Sequence, residues 1–144
     1  GGEDIVKLQN ISYNTIDVGT GGPNRTTAIS FMSSYSGSGP LGDGKFTNIQ
    51  ITYNTINNLQ NNKRGISLYN DASGDGRGGE ISNAVIKGNK IYGTAGTITS
   101  FGIRLAGYIT NTKITDNYIR NSGQNFYGTY QNSAHRKHRK GLGN

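Results

Sequence analysis

The sequence predicts an all-β solenoid of stacked parallel strands, and three observations carry that expectation. An apolar residue, an asparagine three positions later and an apolar residue two beyond it recur as I-x-x-N-x-I. The copies are Ile11, Asn14, Ile16; Ile51, Asn54, Ile56; Ile86, Asn89, Ile91; and Ile114, Asn117, Ile119. A second element returns between them: Ala28-Ile29-Ser30-Phe31, Gly65-Ile66-Ser67-Leu68, Gly102-Ile103-Arg104-Leu105 and, in weaker form, Gly128-Thr129-Tyr130-Gln131. The spacing is uneven, with 40 residues from Ile11 to Ile51, 35 to Ile86 and 28 to Ile114. Helical repeats keep a fixed period because their helices pack at fixed length. A β-solenoid absorbs insertions in outward loops.

Each unit then reads as a strand before the asparagine, a short strand after it, a loop, the G-I-x-L strand and a second loop. Three short strands per coil define a triangular parallel β-helix of about four coils. The inward columns are Val6, Phe46, Ile81, Ile109; then Ile11, Ile51, Ile86, Ile114; then Ile16, Ile56, Ile91, Ile119; then Ile29, Ile66, Ile103 and Thr129. Successive coils lie about 4.8 Å apart, so each side chain covers its equivalent below. Asn14, Asn54, Asn89 and Asn117 are expected to form an internal ladder of side-chain amides. A buried amide without such partners costs about 1–3 kcal/mol. The turn preference of asparagine accounts for one or two of these residues, not for four in register.

These motifs resemble the right-handed parallel β-helix proteins of the pectate lyase and phage tailspike type over roughly residues 3 to 132. I-x-x-N-x-I looks like the second turn of that fold, and G-I-x-L looks like its first sheet. The resemblance implies a right-handed coil, a polysaccharide partner and an extracellular, virion or cell-surface location. It does not select one activity, because lyases, hydrolases, epimerases, tailspikes and adhesins share the fold.

Composition fits a narrow core. The 144 residues leave room for one domain, and 31% hydrophobic content with 23 glycines suits a solenoid better than an ordinary globule. There is no cysteine, hence no disulfide framework and no thiol nucleophile. No apolar run of about 18 residues predicts a membrane span, and the first residues do not form a signal peptide pattern. Asn10-Ile-Ser12 and Asn24-Arg-Thr26 match the glycosylation sequon, a frequent chance match in an asparagine-rich chain.

The expected division is a β-helix domain over 1–132 and a basic tail or loop over 133–144. Gly1-Gly2-Glu3 resembles Gly78-Gly79-Glu80, so the chain reads as opening and closing within equivalent loops, with no evident caps and about 19 Å of solenoid between them. Such a section either belongs to a longer helix or stacks end to end, a heterologous contact that builds filaments. A lateral trimer is a further form of self-association. Net charge is +7, with Arg136, Lys137, Arg139 and Lys140 in the tail. The tail reads as a solvated segment. Nucleic acid is disfavoured as a partner because no aromatics interleave these cations.

Ligand chemistry is expected on the outward face of the G-I-x-L sheet, where Ser30, Ser67, Arg104 and Tyr130 form a row and Met32 and Tyr69 point the same way. Ser67, Tyr69, Arg104 and Tyr130 are the carbohydrate-binding candidates: arginine takes a carboxylate bidentately and tyrosine covers apolar sugar faces. Asp71 and Asp75, with Arg104, are the weak catalytic candidates. Glycoside hydrolysis needs two acids about 5–9.5 Å apart, and lyase chemistry needs a base beside a cation. No complete acid–base set is visible, since both histidines, His135 and His138, fall in the tail. No cofactor is expected, calcium excepted: Asp43, Asp71 and Asp75 are oxygen ligands for a weak site, although Asn70 to Arg77 fails the twelve-position calcium loop.

Overall fold

The computed structural model describes residues 5–19, 26–33, 45–70, 81–94, 100–107 and 109–130. Within them the chain is all-β, without a helix, and its strands form three sheets. The first sheet holds β1 (Ile5–Ser12), β4 (Lys45–Thr52), β7 (Ile81–Ser82), β8 (Val85–Lys87), β11 (Ile109–Thr110) and β12 (Lys113–Thr115). The second holds β2 (Thr15–Asp17), β5 (Thr55–Leu59), β9 (Lys90–Gly93) and β13 (Tyr118–Arg120). The third holds β3 (Thr27–Ser33), β6 (Arg64–Asn70), β10 (Phe101–Gly107) and β14 (Gln124–Tyr130). Every pairing is parallel. Parallel neighbours require a long crossover. Here the crossover is the passage through the other two sheets, visited in the same order each time, which makes the molecule a parallel β-solenoid.

Register follows the apolar columns. Val6 stands beside Phe46, Phe46 beside Ile81 and Ile81 beside Ile109. Ile11, Ile51, Ile86 and Ile114 align, as do Ile16, Ile56, Ile91 and Ile119. In the third sheet Ile29, Ile66 and Ile103 align, but the residue beside Ile103 is Phe126. The expected Thr129 stands beside Ala106, three residues further on. The physical reason is that an inward column needs an apolar side chain, and Phe126 packs against the core. In consequence Tyr127, not Tyr130, pairs with Arg104, and Tyr130 pairs with Gly107.

The interior is almost entirely aliphatic. Ile51, Ile56, Ile66, Ile86, Ile91 and Ile103 have no exposed surface, and each such side chain contributes about 1.5–3 kcal/mol of burial. Glycine is the second residue of β6 and β10, where the backbone of the next third-sheet strand and the isoleucines of the second sheet leave no room for a side chain. A Cβ on Gly65 would stand 2.5 Å from the Gly102 carbonyl oxygen and 3.1 Å from Ile91 Cδ1.

Two polar asparagines lie inside this core with no exposure, Asn54 and Asn89. Asn54 Nδ2 donates to Asn89 Oδ1 at 3.0 Å and to the Ile11 carbonyl at 2.8 Å. Its Oδ1 accepts from both the backbone N–H and the Nδ2 of Asn14, each at 3.0 Å. Asn89 repeats the pattern with Asn117 Oδ1 and the Ile51 carbonyl, and the Asn54 and Asn89 backbone N–H groups donate to the next Oδ1 in turn. Both donors and both lone pairs of each buried amide are thereby used.

The residue before each of these asparagines adopts left-handed backbone: Tyr13 at φ 59°, Tyr53 at 56°, Gly88 at 66° and Asp116 at 57°. This turns the chain from the first sheet into the second and aims the asparagine inward. A second left-handed column, Leu8, Asn48, Asn83 and Asn111, bends the first sheet midway and separates β7 from β8 and β11 from β12.

Two stability outcomes follow. Asn54→Ala removes the side-chain donor to the Ile11 carbonyl, the acceptor of the Asn14 backbone N–H and one of the two donors to Asn89 Oδ1, so urea unfolding should register a loss of about 3 kcal/mol, against under about 1 kcal/mol for the exposed Asn14→Ala. Gly88→Ala meets both a positive φ and the Tyr53 ring, 2.5 Å from the new Cβ, and should cost about 2 kcal/mol. A Tyr53→Ala partner mutation should relieve the steric part but not the conformational part, which a double-mutant cycle resolves.

Candidate ligand-binding face

In the third sheet, alternation around the buried Ile66 and Ile103 sends Ser67, Tyr69 and Arg104 to the outer side. Ser30 pairs with Ser67 and Ser67 with Arg104, so three of the four residues of the expected row share a register, with Tyr127 in the place expected for Tyr130. Its members are unequally accessible. Ser30 is exposed and Arg104 is half-buried, but Ser67 retains only 1% exposure and offers no surface to a sugar. Tyr130 contributes backbone pairing to Gly107, outside the Ser67–Arg104 row.

Arg104 and Tyr69 come together. Tyr69 stands beside Met32 on one side and Ala106 on the other, diagonally from Arg104. The Arg104 Cζ lies 4.6 Å from the centre of the Tyr69 ring, inside the range where a guanidinium is attracted to an aromatic face. Met32, next to Tyr69 and 59% exposed, extends this surface with a flexible apolar side chain. The result is a small patch with a cation, a ring and an apolar rim.

Asp43, Asp71, Asp75 and Glu80 lie outside the described residues, as does the basic tail over 133–144. The described acids are Asp17 and Asp116. The Asp17 carboxylate accepts from the Gly19 N–H at 2.8 Å and from Asn58 Nδ2 at 2.7 Å, a turn-closing role. Among the described residues no three histidines, cysteines or acids group as metal ligands, and no helix is long and apolar enough to cross a membrane.

A second surface was readable in the sequence but not in the apolar pattern. After each repeat asparagine the chain reads Thr15-Ile-Asp17, Thr55-Ile-Asn57, Lys90-Ile-Tyr92 and Tyr118-Ile-Arg120. The two flanking positions face outward on the second sheet, and they change from small polar groups to tyrosines and cations halfway along. Tyr92 and Tyr118 touch, with ring centroids 5.9 Å apart. A third aromatic contact, Tyr13 stacked on Tyr53 at 5.3 Å, lies at the turn between the first two sheets.

The chain matches no protein-family model, no curated protein and no solved structure.

The Arg104–Tyr69 contact is testable by itself. Arg104→Ala and Tyr69→Ala, measured singly and together by denaturant unfolding, should reveal a favourable coupling of about 0.5–1 kcal/mol for a partly exposed pair.

Proposed function

We propose that this chain is a polysaccharide-interacting module. In this reading it is a right-handed parallel β-helix of four coils with an internal asparagine ladder, resembling polysaccharide lyases, glycoside hydrolases and phage tailspikes, and works outside the cell or on a virion or cell surface. The single observation that supports a carbohydrate ligand is the Arg104–Tyr69 pair on the outer side of the third sheet. A pyranose carries apolar C–H faces that pack on an aromatic ring, and an acidic substituent matches a guanidinium. Met32 adds apolar surface beside the ring. The proposal assigns binding and leaves catalysis unassigned. On a glycan array, the protein should bind one or more acidic polysaccharides, and Arg104→Ala should weaken that binding about tenfold. Failure of the intact chain to bind any acidic glycan would sink this reading.

A second reading, a structural solenoid that stacks head to tail, has its own support. Asn14 donates to Asn54, Asn54 to Asn89 and Asn89 to Asn117. Among the described residues this leaves Asn14 Oδ1 without a donor at one end and the Asn117 backbone N–H without an acceptor at the other. Those two groups are complementary, and the pairing edges β1, β2, β3 and β12, β13, β14 lie at the same two ends. Stacked copies would continue the ladder from Asn117 of one to Asn14 of the next. Electron microscopy of concentrated protein should then reveal fibres; short monodisperse particles at every concentration would count against stacking.

A further inference from the structure

We propose that the outer side of the second sheet, on the third and fourth coils, is a separate binding site for polyanionic glycans, built from Lys90, Tyr92, Tyr118 and Arg120. Ile91 and Ile119 occupy the inward column between them, so all four side chains leave the same face. Lys90 pairs with Tyr118, and Tyr92 pairs with Arg120. The four therefore form a checkerboard, in which each cation stands about 4.8 Å from one tyrosine across the strands and about 7 Å from the other along the strand. The tyrosines meet across one diagonal, with ring centroids 5.9 Å apart and planes inclined by 57°. The cations occupy the other diagonal, about 8.5 Å apart at the backbone.

The fold does not require these residues. The same four positions in the first two coils are Thr15, Asp17, Thr55 and Asn57, in the same parallel register, around Ile16 and Ile56. Threonine and asparagine suffice to complete that face of the solenoid. Exposed aromatics, by contrast, leave apolar area in water: Tyr118 is 53% exposed. Lys90 and Arg120 are exposed as well, and among the described residues neither side chain has an ion-pair or hydrogen-bond partner. The Tyr53 ring, 45% exposed and lying over Gly88, brings a further aromatic to the adjoining turn. Tilted rings between cations suit a polymer with both apolar faces and regularly placed anionic groups. An acidic polysaccharide has that chemistry. A flexible single strand of nucleic acid shares the charge and the stacking, but the tilted pair does not present two parallel ring faces to successive bases.

This site is on a different sheet from Arg104 and Tyr69, so its failure can be told apart from that of the preceding proposal, although an intact chain that binds no acidic glycan would overturn both. The test is made in an Arg104→Ala background, which removes that other patch from the measurement. Binding is titrated with polygalacturonate, with dextran sulfate, with unmodified dextran and with poly(U). The inference expects binding to one or both acidic glycans, weakening steeply with salt, and none to dextran. The diagnostic variant carries Lys90→Thr, Tyr92→Asn, Tyr118→Thr and Arg120→Asn, which copies the second coil into the third and fourth and keeps residues the fold already accepts. It should lose at least about tenfold in affinity with an unchanged circular dichroism spectrum. Should that variant fold poorly, the Lys90→Glu, Arg120→Glu pair gives the same readout through charge reversal. The proposal is overturned by undiminished glycan affinity in the folded variants, by equal binding to neutral dextran, or by tighter binding to poly(U) than to either acidic glycan.

Discussion

Burying an asparagine amide in an aliphatic core is the constraint on which this structure rests. Each amide has two donors and an acceptor with two lone pairs, and leaving any of them unmade in an apolar interior costs about 1–3 kcal/mol. Asn54 and Asn89 meet that demand only when an identical asparagine lies above and another below. The Oδ1 of one receives both the backbone and the side-chain N–H of its neighbour. No other register satisfies the groups. A slip by one residue would expose the isoleucines that flank each asparagine and orphan the amide at once. The series therefore fixes the vertical alignment of the turns, and the isoleucine columns supply the burial energy once alignment is set.

The left-handed residue before each asparagine is the second half of the same device. A tyrosine in that conformation costs about 1–2 kcal/mol relative to ordinary backbone, and the chain accepts this at Tyr13 and Tyr53. The cost is offset by the bonds that the turn makes, since the Tyr53 N–H reaches the Lys87 carbonyl at 2.9 Å and the Thr55 N–H reaches the Asn14 carbonyl at 2.8 Å. Stacking of the two rings recovers more. At the next level the ring of Tyr53 covers the place where a Cβ would stand, and glycine is the residue that fits.

What was legible in the sequence was what repeats. The isoleucines and asparagines announce both the three-sheet arrangement and the register of the first two sheets, because an inward position tolerates few residue types. Legibility failed where the repeat degenerates. In the last third-sheet strand, Gly128 invited alignment with Gly65 and Gly102, whereas the apolar Phe126 sets the register and places Asn125, not a glycine, in the crowded column. The second left-handed column was hidden by Leu8, although Asn48, Asn83 and Asn111 were in plain view. The burial of Ser67 was illegible for another reason: alternation tells which side of a sheet a residue takes, not whether its neighbours cover it.

The same distinction bears on where function can be written into such a molecule. Inward positions are all but interchangeable from coil to coil, since each must match the one beneath it. Outward positions carry no such obligation, and loops of different length interrupt them freely. A departure from coil-to-coil similarity on the outer side is therefore informative in a way that similarity on the inner side is not. Thr15, Asp17, Thr55 and Asn57 set the level that the fold alone demands; Lys90, Tyr92, Tyr118 and Arg120 depart from it in charge and in aromatic content together. Arg104 departs likewise from Ser30 and Ser67 in its own row. Both departures fall in the later coils, on two different sheets, and both bring a cation beside an aromatic ring. A stacked solenoid spends its regularity on holding shape. Its chemistry has to lie where that regularity breaks.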